Sequence, residues 1–134
     1  MKKKKLKSYK ILKAKLDTVF SMFIRLRDTE GGAGQCITCS KRLTYEQGQA
    51  GHWISRSYLS TRWDERNVHL QCPADNLYRK GAPAEYAVAL VQKYGEGILQ
   101  ELVDLKRETR KFSRTELQDK INHYETLINQ LKLF

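Results

Sequence analysis

From Tyr9 to about Arg27 the apolar positions fall at Tyr9, Leu12, Leu16, Val19, Phe20, Phe23 and Ile24, in steps that alternate mostly between three and four. That period predicts a long amphipathic α-helix with one stripe packed on the protein. Lys10, Lys13 and Lys15 lie mostly off the stripe, and the three glycines between Thr29 and Gly34 end the helix. Between Gln35 and Gly81 the helical period disappears: Gln35 to Leu43 reads as a knuckle with a short strand or turn, Gln49 to Ile54 as a strand, and Asn67 to Leu70 as a second extended segment. A helix is predicted to start at Asn76 with Asp75 as its N-cap, limited by Gly81 and Pro83. Helical patterning returns over Ala84 to Tyr94, stopped at Gly95, and over Gly97 to Glu108. Ser113-Arg114-Thr115-Glu116 then forms a capping box that opens a last helix with Leu117, Ile121, Tyr124, Ile128 and Leu131 along one seam. A seam this short serves equally as a cover for the chain's own core or as a dimer surface.

The pattern therefore gives an α+β chain, mostly helical, folded as one compact domain of three parts. Residues 1–34 are a basic arm and N-terminal helix, residues 35–83 a small core of strand, loop, strand and helix, and residues 84–134 a C-terminal helical region. Charge changes the picture at one end. Of a formal net charge of +10, eight lysines and no acid fall in residues 1–16, which leaves +2 for the other 118 residues. Such an arm, with Lys2, Lys3, Lys4, Lys5, Lys7 and Lys10, attracts phosphates with little sequence preference, or simply keeps a terminus solvated. No apolar run approaches a membrane span, and Lys10, Lys13, Lys15 and Asp17 interrupt any export signal, so the expected location is the cytoplasm.

Three cysteines suit a reducing compartment, and their spacing suits a metal. Cys36-Ile37-Thr38-Cys39 is one CxxC turn, and Cys72-Pro73-Ala74-Asp75 repeats it with a carboxylate in the last place. Zinc accepts thiolate and carboxylate ligands in a tetrahedron, so Cys36, Cys39, Cys72 and Asp75 are the expected set for a structural ion, weaker than four thiolates. The bland alternative keeps the cysteines as small core residues. His52 lies between the two turns, with Gly51 before it and Trp53 after it, and Asn76 directly follows the second turn. A neutral imidazole beside a hard divalent cation is the pair of groups that phosphodiester hydrolysis needs. Arg56, Arg62, Arg66, Arg79 and Lys80 are spread around this region as candidate phosphate clamps, and Trp53, Tyr58 and Trp63 as stacking or core aromatics.

Phe23-Ile24-Arg25, Cys36-Ile37-Thr38-Cys39, Ala50-Gly51-His52-Trp53, Glu65-Arg66-Asn67-Val68-His69, Gln71-Cys72 and Asn76, in that order, resemble the NinG, or Rap, recombination proteins of lambdoid phages. The resemblance runs from about Val19 to Leu105 and takes in the C-terminal helix. It implies a zinc-stabilised ββα-metal, or HNH-like, nuclease similar in layout to endonuclease VII, acting on Holliday junctions and D-loops. A homodimer in the cytoplasm of a bacterial host would follow from the two cuts that a junction needs. Carried over by position, the resemblance makes His52 the residue that activates water, Asn67 the brace of the loop, and Asn76 a ligand of catalytic Mg²⁺ or Mn²⁺. Related nucleases often carry an aspartate ligand just before the histidine, where this chain has Gly51. His69 is the expected replacement, with Asp64 and Glu65 behind it. A zinc-stabilised DNA-binding accessory module without cleavage is the alternative reading.

Overall fold

A computed structural model describes residues 5–132. The first helix, α1 (Tyr9–Arg27), starts where Ser8 Oγ accepts the Ile11 N–H at 3.3 Å and buries Leu12, Leu16, Val19, Phe20, Phe23 and Ile24. Two short antiparallel strand pairs follow: β1 (Ala33–Gln35) with β2 (Arg42–Thr44), and β3 (Gln49–His52) with β4 (Val68–Gln71). Between β3 and β4 lies one helical turn, α2 (Leu59–Arg62). The C-terminal half holds α3 (Pro83–Tyr94), α4 (Ile98–Arg107) and α5 (Arg114–Lys132). No helix among the described residues is long and apolar enough to cross a membrane.

The capping box forms as predicted: Ser113 Oγ accepts the Glu116 N–H at 3.0 Å while Glu116 Oε1 accepts the Ser113 N–H at 3.1 Å. The seam it opens is used within the chain. Leu117, Ile121, Tyr124 and Ile128 bury against the α1 stripe, with Tyr124 packed at 5.0 Å between ring centroids on both Phe20 and Phe23. Arg114 lies by the Leu6 and Lys7 carbonyls and Glu125 reaches Lys15, so α1 and α5 run in the same direction. The seam that sequence reasoning offered for dimerisation is thereby covered by α1.

One predicted element is corrected. No regular helix begins at Asn76: residues Ala74–Tyr78 make a single wide turn, and Asp75 sits inside it instead of capping it. Its carboxylate is drawn into the cysteine turns, where it accepts from Thr38 Oγ1 at 2.7 Å and Arg79 Nη1 at 2.6 Å. After it the backbone takes three consecutive left-handed residues, Lys80 (φ 52°), Gly81 (φ 86°) and Ala82 (φ 47°), which no α-helix tolerates.

The β3–β4 pair divides the molecule. Its register places Gly51 opposite His69 and His52 opposite Val68, and successive side chains leave a strand on opposite faces. On one face Val68 and Trp63 join the α1–α5 core; beyond the other, α3 and α4 close a second core of Ile54, Tyr86, Leu90, Ile98 and Leu102. Cys36, Leu43, Leu70 and Cys72 form a third, small cluster between the two strand pairs.

Candidate functional site

Two centres are built on this frame, a sulfur cluster and a polar cleft. In the first, one donor atom each from Cys36, Cys39, Cys72 and Asp75 lies within 4.8 Å of every other. Cys39 Sγ and Cys72 Sγ are 3.7 Å apart. A tetrahedron with Zn–S bonds of about 2.3 Å has edges of about 3.8 Å, so the spacing fits zinc. Backbone N–H groups from Cys72 and Asp75 point at the sulfurs of Cys36 and Cys72 at 3.2 and 3.4 Å, which suits thiolates. Burial, with the neighbouring Cys36 and Cys72 sulfurs, pushes the Cys39 thiol up to about 12. A divalent cation would remove that repulsion and take the place of the protons. The Thr38 hydroxyl and then Arg79 hold the Asp75 carboxyl below its ordinary range, so it is ready as an anionic fourth donor. The cluster is consistent with a metal site.

The second centre is an open cleft of about 550 Å³ between α1, β3 and the wide turn, lined among others by Asp17, Arg25, Gln49, His52, Arg56, Asn76 and Lys80. His52 sits at the end of β3, and its Nε2 lies 2.8 Å from the Arg62 carbonyl oxygen. A carbonyl only accepts, so Nε2 carries the proton and Nδ1 keeps a lone pair. Burial pushes the His52 pKa down and the positive charge of Arg56 adds to that, so the ring is neutral at pH 7 and able to take a proton.

Its support is layered. Arg62 holds the histidine through its carbonyl and is itself pinned, because Nε donates to Asp17 Oδ1 at 2.9 Å and Nη1 to the Arg56 carbonyl at 2.7 Å. Asp17 also accepts from Trp63 Nε1 at 3.0 Å. Burial raises the Asp17 pKa, but Arg62 and Trp63 outweigh it and hold the carboxyl ionised, below its ordinary range. Asn67 is fully buried: Oδ1 accepts the Ile54 N–H at 2.8 Å, and Nδ2 donates to the Ile54 and Thr61 carbonyls at 3.0 and 3.1 Å. It thus ties both ends of the loop after β3 to each other. Asn76 donates from Nδ2 to Gln49 Oε1 at 2.8 Å, and its Oδ1 has no partner among the described residues.

Other sequence candidates fall elsewhere. His69 faces α3, away from the cleft, and both ring nitrogens are occupied, Nδ1 by the Tyr86 hydroxyl at 3.1 Å and Nε2 by the Tyr94 hydroxyl at 2.8 Å. The alternation of side chains along β3 and β4 is the reason: His69 shares its face with Gly51, not with His52. Asp64 is bound by Arg66, and Glu65 accepts from the Tyr124 hydroxyl. Arg66 spans Asp64 and Glu101, and Arg62 is enclosed by Asp17, so neither is a free phosphate clamp. Arg56 and Lys80 line the cleft, whereas Arg79 lies on the turn beside it with its side chain 69% exposed. Trp63 is a core residue, and Trp53 packs beside the second core with Nε1 on the Pro83 carbonyl. Lys5, Lys7 and Lys10 are exposed; Lys2, Lys3 and Lys4 lie outside the described residues.

Asp17 and Arg25 are the cleft residues that sequence reasoning passed over. The signal for Asp17 was present, since it is the only acid in the first 27 residues and borders the buried stripe. The missing aspartate before His52 has a steric explanation. A Cβ on Gly51 would lie 1.9 Å from Gln71 Oε1, and Gln71 is locked by donating to Thr38 Oγ1 at 3.1 Å and to the Gly81 carbonyl at 2.8 Å. For a hard divalent ion the cleft offers Asn76 Oδ1 and the one lone-pair site on Asp17 Oδ2 that Arg62 and Trp63 leave open. Mg²⁺ keeps several waters and often takes only one or two carboxylates plus substrate phosphate, and this donor set fits that pattern.

The family model described as Bacteriophage Lambda NinG protein matches residues 1–133. The proteins named Protein ninG of Escherichia phage 933W and of Salmonella phage P22 are each 36% identical over 81 residues, which is 60% of this chain and 38% of theirs. Protein ninG of Escherichia phage lambda is 35% identical over the same lengths. The matched region thus spans 38% of the length of these relatives. No solved structure matches.

Proposed function

The chain belongs to the NinG family of phage proteins, and from that footing we propose that it is a metal-dependent, structure-selective DNA endonuclease that cuts branched recombination intermediates such as Holliday junctions and D-loops. The observation that carries the reading is His52, a neutral imidazole with one nitrogen fixed on the Arg62 carbonyl and the other free in a cleft rimmed by Arg25, Arg56 and Lys80. Nδ1 takes the proton from a water, the oxygen of that water attacks phosphorus, and the bridging phosphorus–oxygen bond to the neighbouring sugar breaks, its oxygen leaving as a hydroxyl with a proton from solvent. Arg56 and Lys80 hold the phosphate oxygens and offset the charge that builds up there. Asn67 and the Asp17–Arg62 pair keep the histidine aimed. Asn76 Oδ1, with the site on Asp17 Oδ2 that Arg62 leaves open, would hold a Mg²⁺ or Mn²⁺ ion. When bound, that ion stabilises the leaving oxygen.

In this reading Cys36, Cys39, Cys72 and Asp75 hold a structural zinc that fixes the turn bearing Asn76, and the exposed lysines at the start of the chain add sequence-independent affinity for DNA. Two cuts across a junction call for two copies, and a host-cell cytoplasm for the DNA. The test is cleavage of a labelled four-way junction beside matched duplex, with Mg²⁺, Mn²⁺ or chelator, by wild type and His52→Ala. Metal-dependent, junction-selective cuts lost in the variant support the proposal. A second reading, an accessory module that binds branched DNA without cutting it, is favoured by the Gly51–Gln71 packing and the pairing of Asp17 with Arg62. Junction binding without cuts in either metal would select it.

A further inference from the structure

The wide turn that replaces the predicted helix carries two large apolar side chains into solvent. Leu77 is 60% exposed and Tyr78 is 85% exposed, the latter the most exposed large hydrophobic residue among those described. Their neighbours are firmly held. Asp75 before them is buried and bound to Thr38 and Arg79, and Arg79 N–H closes on the Ala74 carbonyl at 3.1 Å. After them, Gly81 N–H bonds the Asp75 carbonyl at 2.8 Å and the Gly81 carbonyl accepts from Gln71. Lys80 and Ala82 both adopt left-handed backbone conformations that non-glycine residues seldom take. The turn is thus a braced projection.

Its surroundings select a partner. Leu77 and Lys80 line the cleft that holds His52, and Tyr78 lies between Leu77 and the exposed Arg79. An exposed aromatic ring followed in the chain by Arg79 and Lys80, and next to a leucine that lines a cleft rimmed with Arg25 and Arg56, matches the chemistry of an unpaired nucleotide: a base to stack on and phosphates on either side. A paired duplex offers no such base. We propose that Leu77 and Tyr78 form a wedge that enters DNA at a branch point, Tyr78 stacking on the unpaired base and Leu77 holding open the step next to the cleft. This deepens the endonuclease reading and rests on it, since it assigns the preference for branched DNA to named residues.

The experiment is equilibrium binding of the full chain to a fluorescein-labelled four-way DNA junction and to a matched duplex, for wild type, Tyr78→Ala, Leu77→Ala and Tyr78→Phe, with thermal melts confirming the fold. The expected result is a loss of junction affinity of roughly five- to a hundred-fold in Tyr78→Ala and less in Leu77→Ala, with duplex affinity unchanged and Tyr78→Phe close to wild type. Equal losses on both DNAs, or none on either, would overturn the wedge. So would a dimer seen by sedimentation without DNA that Tyr78→Ala dissolves while junction affinity stays, which would give the turn to a second copy. Junction cutting indifferent to Tyr78 retires the wedge and leaves the nuclease; junction binding that depends on Tyr78 without cuts does the reverse.

Discussion

His52 and His69 stand one register step apart on the same strand pair, yet their surroundings are opposite. His52 opens onto a polar cleft with one nitrogen unpartnered among the described residues. His69 is closed in beneath α3, with both nitrogens used. Tyr86 donates its hydroxyl proton to the Gly51 carbonyl at 2.7 Å, so its oxygen accepts from His69 Nδ1–H, and Tyr94 donates to Nε2. The chain Tyr94–His69–Tyr86–Gly51 ends on the residue before His52, so one histidine braces the strand that presents the other. Two residues of one type, both site candidates in the sequence, one to activate water and one to bind a metal, are placed on opposite faces by the alternation of a strand.

The largest effect that would break this contrast reaches both histidines at once. β4 runs directly into Cys72, so Cys72→Ser is expected to lose bound zinc together with the cooperative melt of the strand pairs, read by metal analysis and calorimetry. Next, His52→Ala should lower junction cleavage by about 10²–10⁴-fold, the usual contribution of a general base, while leaving zinc content and melting temperature in place. Loss of the fold in that variant would show that His52 is structural and erase the contrast. Since burial holds the His52 pKa below the ordinary value of 6.5, the decline of wild-type cleavage with falling pH should be centred below that value.

His69 sharpens the contrast through pH. Burial, aided by Arg27, lowers its pKa to about 3 from 6.5. Between those values the unfolded chain binds a proton that the folded chain refuses, so stability contributed by the neutral ring is present above about pH 6.5 and is lost as pH falls, by about 1.4 kcal/mol per unit. His69→Gln, which does not titrate, should flatten the dependence of unfolding free energy on pH between 6.5 and 5 by roughly that slope. An unchanged slope would show that His69 protonates freely in the fold. The smallest effect belongs to Tyr94→Phe, which removes one partly buried hydrogen bond and should cost about 1 kcal/mol in denaturant unfolding, with cleavage retained.

Much of this was legible in the sequence where the signal is local. The 3.6-residue period gave α1 as Tyr9–Arg27, the capping box set the start of α5, and the repeated spacing brought three cysteines and Asp75 together. What was not legible depends on pairing across the chain. The facing of His69 follows from a register in which Gly51 meets it, which no periodicity in either strand alone reveals. Asp75 is a good N-cap by type, but Thr38 and Arg79 offer its carboxylate charge-assisted bonds, so it is pulled inward and the helix predicted at Asn76 becomes a turn. Leu77 and Tyr78 break the rule that apolar residues mark the core, and so the pattern could not announce them.

The same-direction packing of α1 and α5 bears on how the molecule assembles. The helices are joined by the whole of residues 28–113, so bringing them together from an open chain carries the loop entropy of most of the protein. Strand pairs and sulfur cluster form over much shorter separations and draw the ends inward, which favours an order in which the middle organises first and the helical clasp shuts last. Asp17, carried on that clasp, meets Arg62 only when it shuts. An order of that kind would gather the cysteine cluster before Asp17 pins Arg62 beneath His52, and the basic cleft would be completed only in the finished protein.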